Sequence, residues 1–120
     1  MAYFRYNANP SDNHISDCTA RALSVLTNRS WRDVYLELSE LSSRVGYTFS
    51  DVPFIEDYLD ERYERECHYA KTVGEFAREH PHGRYAITMP SHISAIIDGI
   101  IVDTFDPSRS IMRCAWRIDK

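Results

Sequence analysis

The spacing of apolar residues divides the chain into a helical part, up to about residue 80, and a strand-rich part after it. In the first part apolar residues recur three or four positions apart, as Val34, Leu38, Leu41 and Val45 do, which is typical of an amphipathic helix. The charged run 60–66 lacks this spacing, and we interpret it as the solvated end of the third helix. Four helices are predicted, over about 17–27, Trp31–Val45, Pro53–Tyr63 and Val73–His80.

Residues that favour helix ends flank the first two of these segments. Ser16 is suited to cap the first helix, and Asp17 then lies in the first turn, where a negative charge suits the helix dipole. Ser30, followed three residues later by Asp33, predicts the start of the second helix, and Gly46 predicts its end. The start of the first helix and both ends of the second are therefore predicted by capping residues.

β-Branched and aromatic residues dominate from Arg84 onward and predict strands. The predicted strands are Tyr85–Met89, His92–Ile97, Ile100–Phe105 and Met112–Ile118, with a short one, Tyr3–Tyr6, near the start. Asp98-Gly99 favours a type I′ hairpin, so at least the strands beside it are antiparallel. Helices followed by strands indicate an α+β fold, with N-terminal helices packed on a C-terminal antiparallel sheet. The 120 residues fit a single domain, 1–120.

The hairpin turn also predicts which side chains share a face of the sheet. If Asp98 and Gly99 are the two turn residues, His92 and Asp103 lie on one face as diagonal neighbours, roughly 7–8 Å apart at the backbone. Asp106 falls on the opposite face unless a bulge intervenes. The face opposite His92 is then the predicted core face, formed by Ile93, Ala95, Ile97, Ile100 and Val102.

Composition narrows the classes of function. The net charge of −4 provides no basic surface of the kind that nucleic acid requires. No apolar run reaches the roughly 18–20 residues that span a bilayer, and the first residues lack the pattern of a signal peptide. We therefore expect a cytoplasmic protein in which Cys18, Cys67 and Cys114 are thiols. The close Cys and His pairs lack the spacing of zinc ligands, so no metal is expected.

Cys18 is the candidate nucleophile. It would occupy the second position of the first helix, where unpaired amides and the dipole lower the pKa of a thiol, although most free cysteines are simply buried. His92 would pair with the thiolate and Asp103 would orient the imidazole, with Asp106 as the alternative acid. The oxyanion would be held by the N–H of Cys18 and by the side chain of Asn13, a residue type that is also common in turns.

Arg21 follows Cys18 by three residues and has two possible roles. It lies near the same helical face and could hold the thiolate or an acidic substrate group. At a spacing of four from Asp17, it is more readily explained by a structural ion pair. We expect the ion pair.

The same residues resemble the minimal bacterial and phage members of the papain-like cysteine peptidases. The segment 17–22, Asp-Cys-Thr-Ala-Arg-Ala, is similar to the Asp-Cys-x-x-Arg-Ala motif of small papain-fold proteins. Gly83-Arg-Tyr, then His92, then the segment 98–106 are similar to the second half of such domains. Transglutaminase-like domains share this order and an Asp-Pro pair like Asp106-Pro107. Papain-like peptidases have a glutamine in the oxyanion hole, and in this sequence Asp12 occupies the corresponding position.

The resemblance implies a papain-like fold and a cysteine hydrolase, either a peptidase or an isopeptidase, that works through a thioester. It implies a protein or peptide substrate, no cofactor, and the cytoplasm of a bacterial host if the chain is phage-encoded. Two alternatives remain open. The same triad could serve an acyltransferase or glutamine deamidase, or the chain could be a non-catalytic protein-binding module that retains the peptidase fold.

Overall fold

The computed structural model describes residues 3–10, 17–46 and 52–119. Within these ranges the chain forms four helices and six strands. In chain order they are β1 (Tyr3–Arg5), α1 (Cys18–Thr27), α2 (Trp31–Val45), α3 (Val52–Asp60), β2 (Arg65–Cys67), α4 (Val73–Glu79), β3 (Arg84–Met89), β4 (His92–Ile97), β5 (Ile100–Asp103) and β6 (Cys114–Arg117). None of the helices described is long and apolar enough to cross a membrane.

The six strands form one mixed sheet in the order β1-β5-β4-β3-β6-β2. The α+β class is confirmed, and the C-terminal strands β3, β4, β5 and β6 pair antiparallel as predicted, but the whole sheet is mixed. β1 pairs with β5 in parallel, and β2, which lies between α3 and α4 in the chain, pairs with β6 at the other edge. Both edge strands thus come from the part of the chain that the pattern identifies as mainly helical.

The β4–β5 hairpin has the predicted register. Ile97 pairs with Ile100, and the pairing continues through Ile96–Ile101 to Ala95–Val102. The turn residues Asp98 and Gly99 have φ angles of 50° and 76°, as a type I′ turn requires. The strand β5 ends at Asp103 rather than at the predicted Phe105.

Helices cover both faces of the sheet, so apolar residues are buried on both. α1, α2 and α3 pack on the face that carries Ala86, Ile93 and Ala95. α4 packs on the opposite face through Val73 and Phe76. The prediction of one core face is therefore incomplete, since Ile96 and Ile101 on the other face are fully buried while Ile100 is 40% exposed.

Several helix boundaries differ from their predictions, and two of the differences bear on the site and the sheet. Asp17, not Ser16, is the N-cap of α1, so Cys18 is the first rather than the second helical residue. Ser16 itself lies outside the described residues. α3 ends at Asp60, and the charged run after it contributes Arg65 and Glu66 to β2 instead of prolonging the helix. The bounds of α2 are confirmed, with Ser30 as its cap.

A disulfide joins Cys67 to Cys114, which contradicts the expectation that all three cysteines are thiols. The two cysteines face each other as a cross-strand pair of β2 and β6, with their Cα atoms 4.0 Å apart. The sequence places them 47 residues apart, with Cys114 in the last predicted strand and Cys67 in no predicted element, so only the sheet topology brings them together. Cys18 is a free thiol.

Candidate active site

Cys18 lies at the start of α1, and a buried aspartate fixes this end of the helix. The Asp17 carboxylate, fully buried, accepts hydrogen bonds from Trp31 Nε1 at 2.8 Å and Asn9 Nδ2 at 3.3 Å, and it pairs with Arg21. The expected Asp17–Arg21 ion pair is therefore present. Because the carboxylate is engaged in this way, it does not cap the amides of the first turn. The thiol stands beside the amide-rich end of a helix dipole, which favours an anion.

His92 and Asp103 are hydrogen-bonded, as the hairpin register predicts. His92 is the first residue of β4 and Asp103 is the last of β5. The imidazole Nε2 lies 2.7 Å from Asp103 Oδ2. The other carboxylate oxygen, Oδ1, accepts the backbone N–H of Thr104 at 2.7 Å. The carboxylate is only 6% exposed, so these donors replace its hydration.

The Cys18 thiol lies close enough to His92 and to the backbone N–H of Ile93 for both groups to lower its pKa. Since Nε2 is engaged by Asp103, the ring nitrogen left for the thiol is Nδ1. α1 packs against Ile93 and Ala95, on the face opposite the His92 side chain. His92 is the first residue of β4, so its imidazole lies at the end of the strand, where it is near the start of α1. The pairing of β4 with β5 ends at Ala95–Val102, so Ile93, which precedes Ala95 on β4, is not paired with β5.

Electrostatics favour a charged pair of Cys18 and His92. Burial raises the pKa of the Cys18 thiol, but the hydrogen bonds from His92 and Ile93 and the charges of His92 and Arg21 hold that pKa below its ordinary value of 9.0. Burial lowers the pKa of His92, but hydrogen bonds to Asp103 and Cys18 and the charges of both groups raise it to about 9. A thiolate facing an imidazolium is the reactive form of such a pair.

The other predicted site residues lie apart from this hydrogen-bonded chain or outside the described residues. Asp106 is exposed, and its Oδ1 accepts the backbone N–H of Ser108 at 2.9 Å. The geometry thus favours Asp103 over Asp106 as the partner of His92. Asn13, the candidate oxyanion residue, lies outside the described residues.

Four groups in the site were given no part in the chemistry from the sequence. Ser94 Oγ donates to Asp103 Oδ2 at 2.6 Å, and the hairpin register contained the signal for it, because continuing that register places Ser94 opposite Asp103. The backbone amides of Ile93 and Thr104 carry no such signal, since any residue type supplies the same N–H. Phe105 packs on the imidazole of His92, with ring centroids 4.8 Å apart, and is half exposed.

The space beside the thiol is small. A cavity of about 10 Å³ lies between α1 and the β4–β5 hairpin, next to Cys18, Arg21 and Val102. That volume holds no more than about one water molecule. Its lining includes Tyr6, whose side chain is 48% exposed.

The described residues contain no group of three or more His, Cys, Asp or Glu side chains that could hold a metal ion. Comparison with known proteins found no match: no protein-family model, curated protein or solved structure is significantly similar to this chain.

Proposed function

We propose that the chain is a cysteine hydrolase of papain-like architecture that cleaves a peptide or isopeptide bond through a thioester. One observation carries the proposal. The thiol of Cys18, at a helix N-terminus, lies beside His92, and Nε2 of the His92 imidazole is hydrogen-bonded to the buried Asp103 carboxylate. Nucleophile, acid–base group and orienting carboxylate follow one another in the order that acyl transfer requires.

Each group has a defined part in the reaction. The Cys18 thiolate attacks the carbonyl carbon, and the carbonyl electrons move to the oxygen, which the N–H of Cys18 at the helix start stabilises. When the C–N bond breaks, the leaving amine takes the proton from His92 Nδ1. Water then attacks the thioester and gives a proton to the same nitrogen, which releases a carboxylic acid and restores the thiolate. Asp103 keeps the Nε2 proton in place throughout.

The fold supports this proposal in a general way. A helix presents the cysteine, and adjacent strands of one sheet present the histidine and the aspartate, which is the arrangement that the resemblance to papain-like proteins implies. A peptide or protein substrate belongs to the same proposal. The Cys67–Cys114 disulfide weighs against the cytoplasm, because disulfides are rare in reducing compartments.

Acylation by simple esters tests the proposal without knowledge of the natural substrate. N-acetyl amino acid p-nitrophenyl esters should give a burst of p-nitrophenolate equal to the concentration of protein, followed by slower turnover. Mass spectrometry should place the acyl group on Cys18. Cys18→Ala should abolish the burst, and Asp103→Asn should slow it by about 100-fold or more, which is typical of lost acid–base catalysis. Asp106→Asn is the matched control and should change it little.

The outcome also separates the alternatives. If added glycinamide captures the acyl group in place of water, the chain is an acyltransferase, and release of ammonia from a glutaminyl peptide identifies a deamidase. A protein that is folded but is never acylated at Cys18 would be a binding module, and the hydrolase proposal would then be wrong.

A further inference from the structure

Ser94 donates a hydrogen bond to the carboxylate that orients His92. Its side chain is 1% exposed, and its hydroxyl donates to Asp103 Oδ2 at 2.6 Å. The same oxygen accepts from His92 Nε2 at 2.7 Å. Ser94 and His92 are two residues apart on β4, so both side chains lie on the face toward which Asp103 points.

The strand pairing explains why Ser94 is directed at this carboxylate. The last ladder pair of the hairpin is Ala95–Val102, and one further step sets Ser94 directly opposite Asp103 and leaves His92 diagonal to it. Ser94 and the backbone N–H of Thr104 hold one carboxylate oxygen each. These two donors fix the plane of the carboxylate independently of the position of the imidazole.

We propose that Ser94 is a positioning residue that holds the Asp103 carboxylate against Nε2 of His92. The inference rests on the proposed function, because it assigns Ser94 to the same site. The hydroxyl hydrogen is engaged by the carboxylate and the oxygen is buried, so Ser94 does not act as a second nucleophile. Its effect reaches Cys18 only through Asp103 and His92. Among the described residues, the other titratable groups around Cys18, His92 and Asp103 include Arg21, Tyr6, which lines the same cavity, and Tyr3, whose hydroxyl donates to the backbone oxygen of Asp103 at 3.1 Å.

The test compares Ser94→Ala with two other variants. Ser94→Thr retains the hydroxyl, and Ser24→Ala removes a buried serine hydroxyl that bonds the backbone oxygen of Arg29, away from the site. Two quantities are measured across pH, namely the rate at which iodoacetamide alkylates Cys18 and the pKa of His92 from its imidazole NMR signals. Neither measurement requires a substrate.

Without the Ser94 hydroxyl the Asp103 carboxylate can turn away from Nε2, and weakening the hydrogen bond between the imidazolium and this charged group is enough to lower the pKa of His92 by about one unit. Ser94→Ala should therefore lower the pKa of His92 by about one unit and slow alkylation of Cys18 at neutral pH by about three- to tenfold. Ser94→Thr and Ser24→Ala should keep the wild-type profile. If folded Ser94→Ala leaves both quantities unchanged while Asp103→Asn alters them, the proposal is overturned.

A second measurement applies if Ser94→Ala does not fold. In the wild-type protein, a buried hydroxyl that donates at 2.6 Å should exchange slowly with water and give its own proton NMR signal. A hydroxyl signal averaged with water would overturn the proposal. The two proposals also fail separately. If the wild-type protein gives no ester burst, the hydrolase proposal is rejected. A shifted pH profile of Ser94→Ala would still support the positioning role.

Discussion

His92 links the two ionisable groups of the site, and its own charge depends on both. The imidazole is held between the Cys18 thiol and the Asp103 carboxylate, and its side chain is 14% exposed. Burial alone would lower the pKa of His92, so its rise to about 9 measures how strongly these two neighbours favour the imidazolium. A histidine in this state is charged over the whole neutral range, and its charge contributes to the stability of the fold.

The stability of the protein should therefore depend on pH through His92. A pKa that rises from 6.5 when unfolded to about 9 when folded gives stability that is fully present below about pH 6.5 and lost as the pH passes 9. The contribution has an upper limit of roughly 3 kcal/mol. His92→Gln should remove it, so urea denaturation should show the largest difference from wild type in mild acid and a smaller one in alkali. His82→Gln, at an exposed position, is the control. A difference that grows with pH would contradict this assignment.

At the scale of elements, the edge strand β2 is held by long-range contacts rather than by its own sequence. It has three residues, of which Arg65 and Glu66 are exposed, and it pairs only with β6. Arg65 binds Asp60 at the end of α3 through two hydrogen bonds, at 3.0 and 2.7 Å. The disulfide adds a covalent link at the last residue of the strand. Without that link, so short an edge strand has little to oppose its conformational entropy.

Removal of the disulfide should lower the free energy of unfolding by about 2–4 kcal/mol. A loop closed over 47 residues corresponds to about 4 kcal/mol in the chain-entropy relation, and measured values are commonly smaller. Urea denaturation with and without reductant measures the loss. Wild-type protein with reductant should match Cys67→Ala/Cys114→Ala, and reductant should not affect that variant. If reductant leaves the wild-type transition unchanged, the disulfide contributes no stability. Before reduction, the denatured wild-type chain should label at Cys18 alone.

The elements differ in how far local sequence determines them. The register of the β4–β5 hairpin is predictable to the residue because Asp98-Gly99 fixes it, although β5 ends two residues earlier than predicted, and the register alone distinguishes Asp103 from Asp106. β2 was missed because its charged residues resemble a solvated helix end, while its pairing with β6 depends on residues 47 positions away. The parallel pairing of β1 with β5 is likewise a tertiary choice, made across about 100 residues. The site was predictable where it depends on the hairpin, and its backbone donors were not.

At the scale of the molecule, two buried carboxylates join the layers of the fold. Glu56 of α3 accepts from Thr88 of β3 at 3.0 Å and from Arg113, just before β6, at 3.0 and 3.1 Å. Asp17 likewise joins three segments. It accepts hydrogen bonds from Asn9, after β1, and from Trp31 of α2, and it pairs with Arg21 of α1. The sequence predicts Asp17 near the helix start but not its burial, because the other donors come from distant segments. The position of Cys18 thus depends on contacts that extend well beyond its helix.

Asp17→Ala should therefore destabilise the fold more than the loss of an ordinary helix ion pair, and should also alter the site. Breaking a buried ion pair commonly costs about 3–5 kcal/mol, and because Arg21 retains 15% exposure we expect about 2–4 kcal/mol. Glu40→Ala is a matched control, since Glu40 and Arg44 form an exposed pair at the same spacing on α2 and should be worth less than about 1 kcal/mol. Urea denaturation measures both variants.

The rate at which Cys18 is alkylated shows whether Asp17 positions the site or only stabilises the fold. If Asp17 fixes the start of α1 beside His92, folded Asp17→Ala should alkylate more slowly than wild type at neutral pH, because the thiol loses its alignment with the imidazole and with the Ile93 amide. Glu40→Ala should keep the wild-type rate. Equal rates in all three proteins would show that α1 holds its position through apolar packing against Ile93 and Ala95 alone. A cost for Asp17→Ala no larger than for Glu40→Ala would remove Asp17 from the framework of the site altogether.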